Sequence, residues 1–262
     1  MPIYQAPTRD ARFIISEVLK LESYSSLPGF ESATADLVEA VLEEGGKFAS
    51  EMLAPLNASG DRQGCTRNAD GSVTTPDGFR QAHTQFREAG WGTVSAPAEF
   101  GGQGMPRVLG FAIEEFMSSA NQAFAMYPGL TNGAVSALLV KGSPELQQRY
   151  VPKLVANEWL GTMNLPEPQC GTDLGLIRTK AEPQADGSYA VTGTKIFISA
   201  GEHDLTDNIV HLVLARTPGA PEGTKGISLF VVPKVLVNAD GSLGARNAVS
   251  CGAIEHKMGI HG

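Results

Sequence analysis

Apolar side chains recur at helical spacing up to about residue 155. Phe13, Ile14, Val18 and Leu21 form one stripe. Leu37, Val38, Val41, Leu42, Phe48 and Met52 form a second, which Gly45-Gly46 is expected to bend or interrupt. Thr75-Pro76 has the form of a helix start, a capping hydroxyl followed by proline at the first helical position. Phe79, Ala82 and Phe86 then share a face, and Gly90 supplies a left-handed stop. Leu109, Ile113, Phe116 and Met117 make a further stripe, and Ser143-Pro144 repeats the start signal ahead of Leu146 and Tyr150.

Beyond Trp159 the period shortens to that of strands. Asp186-Gly187, between Ala181-Glu182 and Tyr189-Ala190-Val191, predicts a hairpin. Residues 194–199, 208–216 and 226–233 are short β-branched runs bounded by Gly, Pro or Asp. Residues 238–242 form another turn, whose chemistry 68–72 shares. The last residues, 254–262, read like the middle of a β segment. These patterns predict an α+β multidomain chain, an all-α N-terminal part followed by an antiparallel β-barrel or sandwich, with the join near residue 158.

Composition narrows the classes. The 262 residues are 42% hydrophobic, enough for a buried core, and 30 Gly with 16 Pro imply many turns without any fibrous Gly-X-Y period. A net charge of −8, with the acidic excess concentrated in the first hundred residues, disfavours nucleic-acid backbones and anionic lipid. No run approaches the ~20 consecutive apolar residues of a membrane span. The start, Met1-Pro2-Ile3-Tyr4-Gln5, has neither the basic nor the apolar region of an export signal. Cys65, Cys170 and Cys251 are odd in number and lack a Cys-x-x-Cys pair, which suits a reducing cytoplasm.

Candidate chemistry is sparse among the histidines. There is no His-Glu-x-x-His, His256 and His261 lie outside any helical pattern, and no Gly-x-Ser-x-Gly elbow occurs, so neither a metal site nor a hydrolase triad is expected. Gly102-Gln103-Gly104 before Pro106 suits either an anion-holding loop or a tight turn; it lacks the third glycine and the preceding strand of a dinucleotide fingerprint. Residues 161–175 say more. A strand through Leu165 runs into a loop with two prolines, an acid and Gly171-Thr172-Asp173, where adjacent amides can form an anion nest. Each such amide contributes about 1.5–3 kcal/mol to a charged oxygen. An ordinary inter-domain loop has the same composition. In 194–199, strand alternation puts Lys195, Phe197 and Ser199 on one face and Ile196 and Ile198 on the other. Phe197 and Ser199 suit a planar ring, and an outward-facing mixed strand carries the same residues.

Taken in order, these residues resemble the acyl-CoA dehydrogenase family. Leu165-x-Glu167-Pro168-x-x-Gly171-Thr172-Asp173 is similar to the family's first signature, Thr-Glu-Pro followed by Gly-Ser/Thr-Asp. The likeness extends through Trp91-Gly92, Glu99-Phe100-Gly101-Gly102-Gln103-Gly104 and Glu114-Glu115 to Gly193-Thr194-Lys195-x-Phe197-Ile198-Ser199 and Lys257-Met258-Gly259. Tyr4-Gln5-Ala6-Pro7 through Tyr24 is similar to the extension of longer bacterial members, including those acting on 3-methylthiopropionyl-CoA. The resemblance divides the chain into an extension (1–30), a helical domain (31–158) and an incomplete β-domain (159–262).

By resemblance, the cofactor is FAD. Gly171 and Thr172 would hold its pyrophosphate and ribityl chain, and Leu165 with its neighbour Pro166 would offer main chain to the pyrimidine edge. Met163 stands where an aromatic often flanks the flavin, Phe197 matches the aromatic on the isoalloxazine, and Ser199 the hydroxyl near N5. Pro166 replaces the signature Ser/Thr, while Cys170 and Leu176 stand where small residues are usual. The family desaturates an acyl-CoA thioester at its α,β bond, passes electrons to an electron-transfer flavoprotein and forms homo-oligomers. Sister flavoproteins of the fold include oxidases and monooxygenases, and a non-enzymatic acyl-CoA-binding module is a further alternative. The family's catalytic glutamate lies in a C-terminal helical bundle expected beyond residue 262. No catalytic residue is assigned here, and the fragment alone is expected to be inactive and to bind FAD weakly.

Overall fold

The computed structural model describes residues 3–262, so Met1 and Pro2 of the start discussed above lie outside the described residues. Helix α1 (Thr8–Phe13) runs into a π-helical stretch, Ile14–Val18. The predicted stripe there does not hold. Leu21 is buried, but Phe13, Ile14 and Val18 are exposed and Ile15 takes the inward position. A π turn holds more residues than an α turn, so the inward face shifts in register.

Helix α2 (Ala35–Lys47) is capped by Thr34, whose hydroxyl accepts from the Leu37 amide at 3.4 Å. It continues through a π-helical stretch (Phe48–Leu53) into α3 (Ala54–Gln63), so Gly45-Gly46 does not interrupt it. The two glycines serve close packing instead. A Cβ on Gly45 would lie 2.2 Å from Ile113 Cδ1, and one on Gly46 2.5 Å from Thr8 Cγ2. Strands β1 (Thr66–Arg67) and β2 (Val73–Thr74) form a small hairpin, followed by α4 (Phe79–Glu88), α5 (Arg107–Ala120), α6 (Gln122–Lys141) and α7 (Pro144–Val155).

The start at Ser143-Pro144 is as predicted, with Ser143 Oγ accepting from the Leu146 amide at 3.4 Å. The start of α4 is not. It begins at Phe79 behind Gly78, and the amide and hydroxyl of Thr75 donate instead to Asp204 Oδ1 at 3.1 and 2.7 Å. A capping residue engaged from a distant segment is no longer free to cap. The predicted stop at Gly90 is present, with φ of 73°. The stripe on α5 is buried as predicted.

Helix α6 is the helical core. It is long and apolar enough to cross a membrane by length and composition, and one side of it is buried, 44% of its most apolar window, against α5, α7 and strand β3 (Leu160–Asn164). Its apolar residues are spread around the helix, so no stripe shows in the sequence. Asn121 caps it, accepting from the Phe124 amide at 3.1 Å and donating to Leu53 O at 3.2 Å. Phe124 meets Phe48, Phe79 and Phe86 edge-on, at centroid distances of 6.5, 5.9 and 6.2 Å.

The second part holds β4 (Lys180–Pro183), β5 (Tyr189–Thr192), β6 (Ile209–Ala215), β7 (Ser228–Pro233), β8 (Val235–Val237) and β9 (Leu243–Arg246). The helical-then-β architecture is the predicted one. Its strands, however, form a three-stranded sheet β3-β6-β7 and two hairpins, β4-β5 and β8-β9, without a closed barrel among the described residues. Strand β3 runs parallel to β6, which requires the long 165–208 crossover and cannot be read from period-two alternation. The predicted hairpin at Asp186-Gly187 forms, and the predicted 238–242 turn closes a second, β8-β9; each Asp accepts from the Ser amide two residues on, at 2.9 Å for Asp186–Ser188 and 3.0 Å for Asp240–Ser242. Residues 254–262 carry no strand; the chain returns to the helices, where the Cys65 amide donates to His261 O at 2.8 Å.

Candidate flavin-binding site

Beyond Asn164 the chain passes through Leu165 and Pro166 into a tight reversal. The Glu167 amide donates to Cys170 O at 2.8 Å, and Cys170 returns the bond to Glu167 O at 2.9 Å. The Glu167 side chain, only 3% exposed, points inward and gathers five donors. Its Oε1 accepts from the Thr179 amide (3.0 Å), Thr179 Oγ1 (2.5 Å) and Lys195 Nζ (2.9 Å). Its Oε2 accepts from the Arg178 amide (2.8 Å) and Gln169 Nε2 (2.6 Å). Burial pushes this carboxyl's pKa up, but the donors outweigh it and hold the group down at about 2. Glu167 is therefore ionised throughout the neutral range.

Lys195, 8% exposed, reaches across from the later segment. Beyond Glu167 it donates to Leu165 O at 3.1 Å, and the Ile196 amide donates to Pro166 O at 3.0 Å. Residues 194–199 therefore form no strand, contrary to the alternation expected of them. Lys195 points inward to an ion pair, and Phe197 takes a left-handed conformation, φ 53°. The residue is 54% exposed.

Phe197 and Ser199 line one cavity of about 2140 Å³ between the β6–β7 sheet, the 193–202 turn and the 247–262 segment. Asn164 and His211 add polar groups to its wall. Both connect through Thr162, whose hydroxyl lies 2.7 Å from Asn164 Oδ1 and 2.7 Å from His211 Nδ1. Desolvation and the nearby Lys234 charge hold His211 down at about 4, so its imidazole is neutral near pH 7.

The other predicted site residues do not line this cavity. Met163 is half-buried on β3, Leu165 and Pro166 are half-buried with carbonyls held by Lys195 and Ile196, and Gly171 and Thr172 are exposed on the loop. The Gly171, Thr172 and Asp173 amides donate to no acceptor among the described residues, and a Cβ on Gly171 would meet nothing within 4 Å. The Gly102-Gln103-Gly104 segment is different. Its three amides donate to Pro97, Thr93 and Ala96 carbonyls at 3.0, 2.8 and 3.0 Å, so it is a tight turn with no donor left for an anion.

Sequence reasoning missed the pairing of Glu167 with Lys195. The available signals were an acid between two prolines and a lysine two residues before Phe197, but nothing local joins groups 28 residues apart.

Family models for the acyl-CoA dehydrogenase N-terminal domain and the acyl-CoA dehydrogenase middle domain match residues 36–158 and 162–262. A 3-methylmercaptopropionyl-CoA dehydrogenase of Ruegeria pomeroyi is 49% identical over 257 residues, covering 98% of this chain and 44% of its own length. A butyryl-CoA dehydrogenase of Syntrophomonas wolfei is 39% identical over 263 residues, covering 99% and 43%. Among solved structures, an acyl-CoA dehydrogenase from Bacillus anthracis complexed with FAD superposes with a TM-score of 0.61 at 24% identity, covering 78% of this chain and 32% of that one. The chain thus spans less than half the length of these curated relatives. With both family models matched in order across the helical and β parts, the chain belongs to the acyl-CoA dehydrogenase family.

Proposed function

We propose that this chain is the flavin-binding portion of an FAD-dependent acyl-CoA dehydrogenase. In this reading residues 1–30 are an extension, 31–158 the helical domain and 159–262 the β-domain. The observation that carries it is the open 171–173 loop, whose amides have no protein acceptor, next to a clamped turn that presents Phe197 and Ser199 to a large cavity.

These features fit FAD. Free amides at Gly171, Thr172 and Asp173 suit a pyrophosphate, and the empty space where a Gly171 side chain would stand leaves room for close approach. Gly171 and Thr172 would hold that end of the cofactor. Met163, Leu165, Pro166, Phe197 and Ser199 would hold the ring, with the Ser199 hydroxyl as hydrogen-bond donor. Bound FAD supplies the hydride acceptor for α,β-desaturation of the acyl-CoA.

Glu167 is not the base for that reaction. Both its oxygens are occupied by donors and its pKa lies at about 2, so it neither reaches a substrate carbon nor holds a proton at neutral pH. No other acid of this chain is assigned the role. The whole protein, in this reading, takes an acyl-CoA substrate, reduces an electron-transfer flavoprotein and assembles as a homo-oligomer.

Titration of the 262-residue chain with FAD, followed by flavin fluorescence, tests the cofactor assignment. Saturable though weak quenching is expected, with its loss in Gly171→Val, where a branched side chain fills the approach. Absence of saturable binding to the unaltered chain sinks the reading; equal binding by Gly171→Val removes the loop from the site.

A further inference from the structure

Phe197 is in the left-handed region at φ 53°, a conformation that a bulky side chain adopts at a cost in free energy. The residue is largely exposed, so its own burial does not offset that cost. The residues just before it are held by contacts to a separate segment. Lys195 Nζ holds Glu167 Oε1 at 2.9 Å and Leu165 O at 3.1 Å, and the Ile196 amide holds Pro166 O at 3.0 Å. The two residues just before Phe197 are thus tied to the three residues that open the loop after β3.

The other end of the tie is equally fixed. Glu167 is anchored by backbone and side-chain donors from Thr179, Arg178 and Gln169. Both charges lie almost wholly out of water. A buried ion pair is an inefficient source of stability compared with apolar packing, and its attested use is to select one register among alternatives. Here the register selected is that of the 195–197 turn against the 165–167 segment.

We propose that Lys195 and Glu167 form a positioning pair that fixes the 195–197 turn against the 165–167 segment, so that Phe197 is held at the cavity wall in one orientation for the flavin ring. This rests on the flavin reading above. Neither residue touches the ring; they act through Phe197 and through the Leu165 carbonyl.

The test uses Lys195→Met in the 262-residue chain, where Glu167 keeps four donors. A second variant, Lys195→Met with Glu167→Gln, removes the leftover charge and safeguards folding. Hydrogen–deuterium exchange across 194–200 without FAD reads the clamp itself, and the Ile196 amide is expected to exchange faster in both variants. With FAD, affinity is expected to fall about tenfold, the equivalent of one charge-assisted hydrogen bond. The induced visible circular dichroism of the bound flavin is expected to change, while cooperative unfolding of the double variant is retained. Unchanged exchange overturns the clamp whatever FAD does. Faster exchange with unaltered affinity and dichroism overturns its role toward the flavin. Faster exchange in a chain whose unaltered form binds no FAD leaves the clamp standing and sinks the flavin reading alone.

Discussion

Thr131 joins the two parts of the molecule through a single hydroxyl, and replacing it with valine isolates that bond. Thr131 is fully buried on α6, where its Oγ1 donates to Tyr127 O at 2.8 Å and accepts from the Gly161 amide at 3.0 Å. Gly161 presses β3 directly onto the helix; a Cβ there would lie 2.6 Å from Ala134 Cβ and 3.3 Å from Thr131 Cα. Valine preserves volume and β-branching, so neither a cavity nor a change in χ1 restriction contributes. The loss is the acceptor, which leaves the buried Gly161 N–H without a partner at a cost of about 1–3 kcal/mol. Taking the middle of that range, about 2 kcal/mol corresponds to a fall in Tm of about 4–8 °C for a chain of this size. The urea midpoint is expected to drop with the m-value unchanged. Thr131→Ser keeps the hydroxyl and removes one methyl, costing about 1 kcal/mol. A valine variant as stable as the unaltered chain would refute the reasoning, because the hydrogen bond to β3 would then contribute nothing.

Two more substitutions probe other junctions. Asp204 accepts from Thr75 and from Arg80 Nη2 at 2.9 Å; burial pushes its pKa up, but these donors prevail and hold it below the ordinary 3.8. Its folded pKa being depressed, its contribution is present above about pH 4 and lost as pH falls through the folded value, so Asp204→Ala should lower the urea midpoint at pH 7 by the equivalent of about 1–3 kcal/mol and by progressively less toward pH 3. A gap that does not shrink at all as the pH is taken below the ordinary carboxylate range would mean that the carboxylate charge is irrelevant. Among the helix glycines, Gly133 faces open space whereas Gly45 abuts Ile113. Alanine is therefore expected to stabilise at Gly133 by about 0.5–1 kcal/mol. At Gly45, overpacking costing about 1–3 kcal/mol exceeds the helix-propensity gain, so thermal unfolding of the two variants should shift in opposite directions.

Features of this protein that depend on a few consecutive residues were legible in its sequence. Ser143-Pro144 starts a helix and Gly90 ends one. Asp186-Gly187 closes a hairpin, and the α5 stripe is buried, because the deciding bonds and faces lie within one or two turns of chain. The loop with Gly171 and Thr172, and the pairing of Phe197 with Ser199, were visible as motifs. Other features could not be settled locally. Thr75 looks like a cap until Asp204 arrives from 129 residues away, and Gly45-Gly46 looks like a break until Ile113 is placed against it. The 194–199 run alternates like a strand, yet Lys195 turns inward to Glu167 and Phe197 takes a left-handed turn. Strand β3 pairs parallel with β6, a partner that the long 165–208 crossover has to bring alongside it. Sequence determined which groups want partners and which faces want burial; only the tertiary structure decided which distant carbonyl, carboxylate or side chain satisfies them, because that choice depends on how close separate segments come in space.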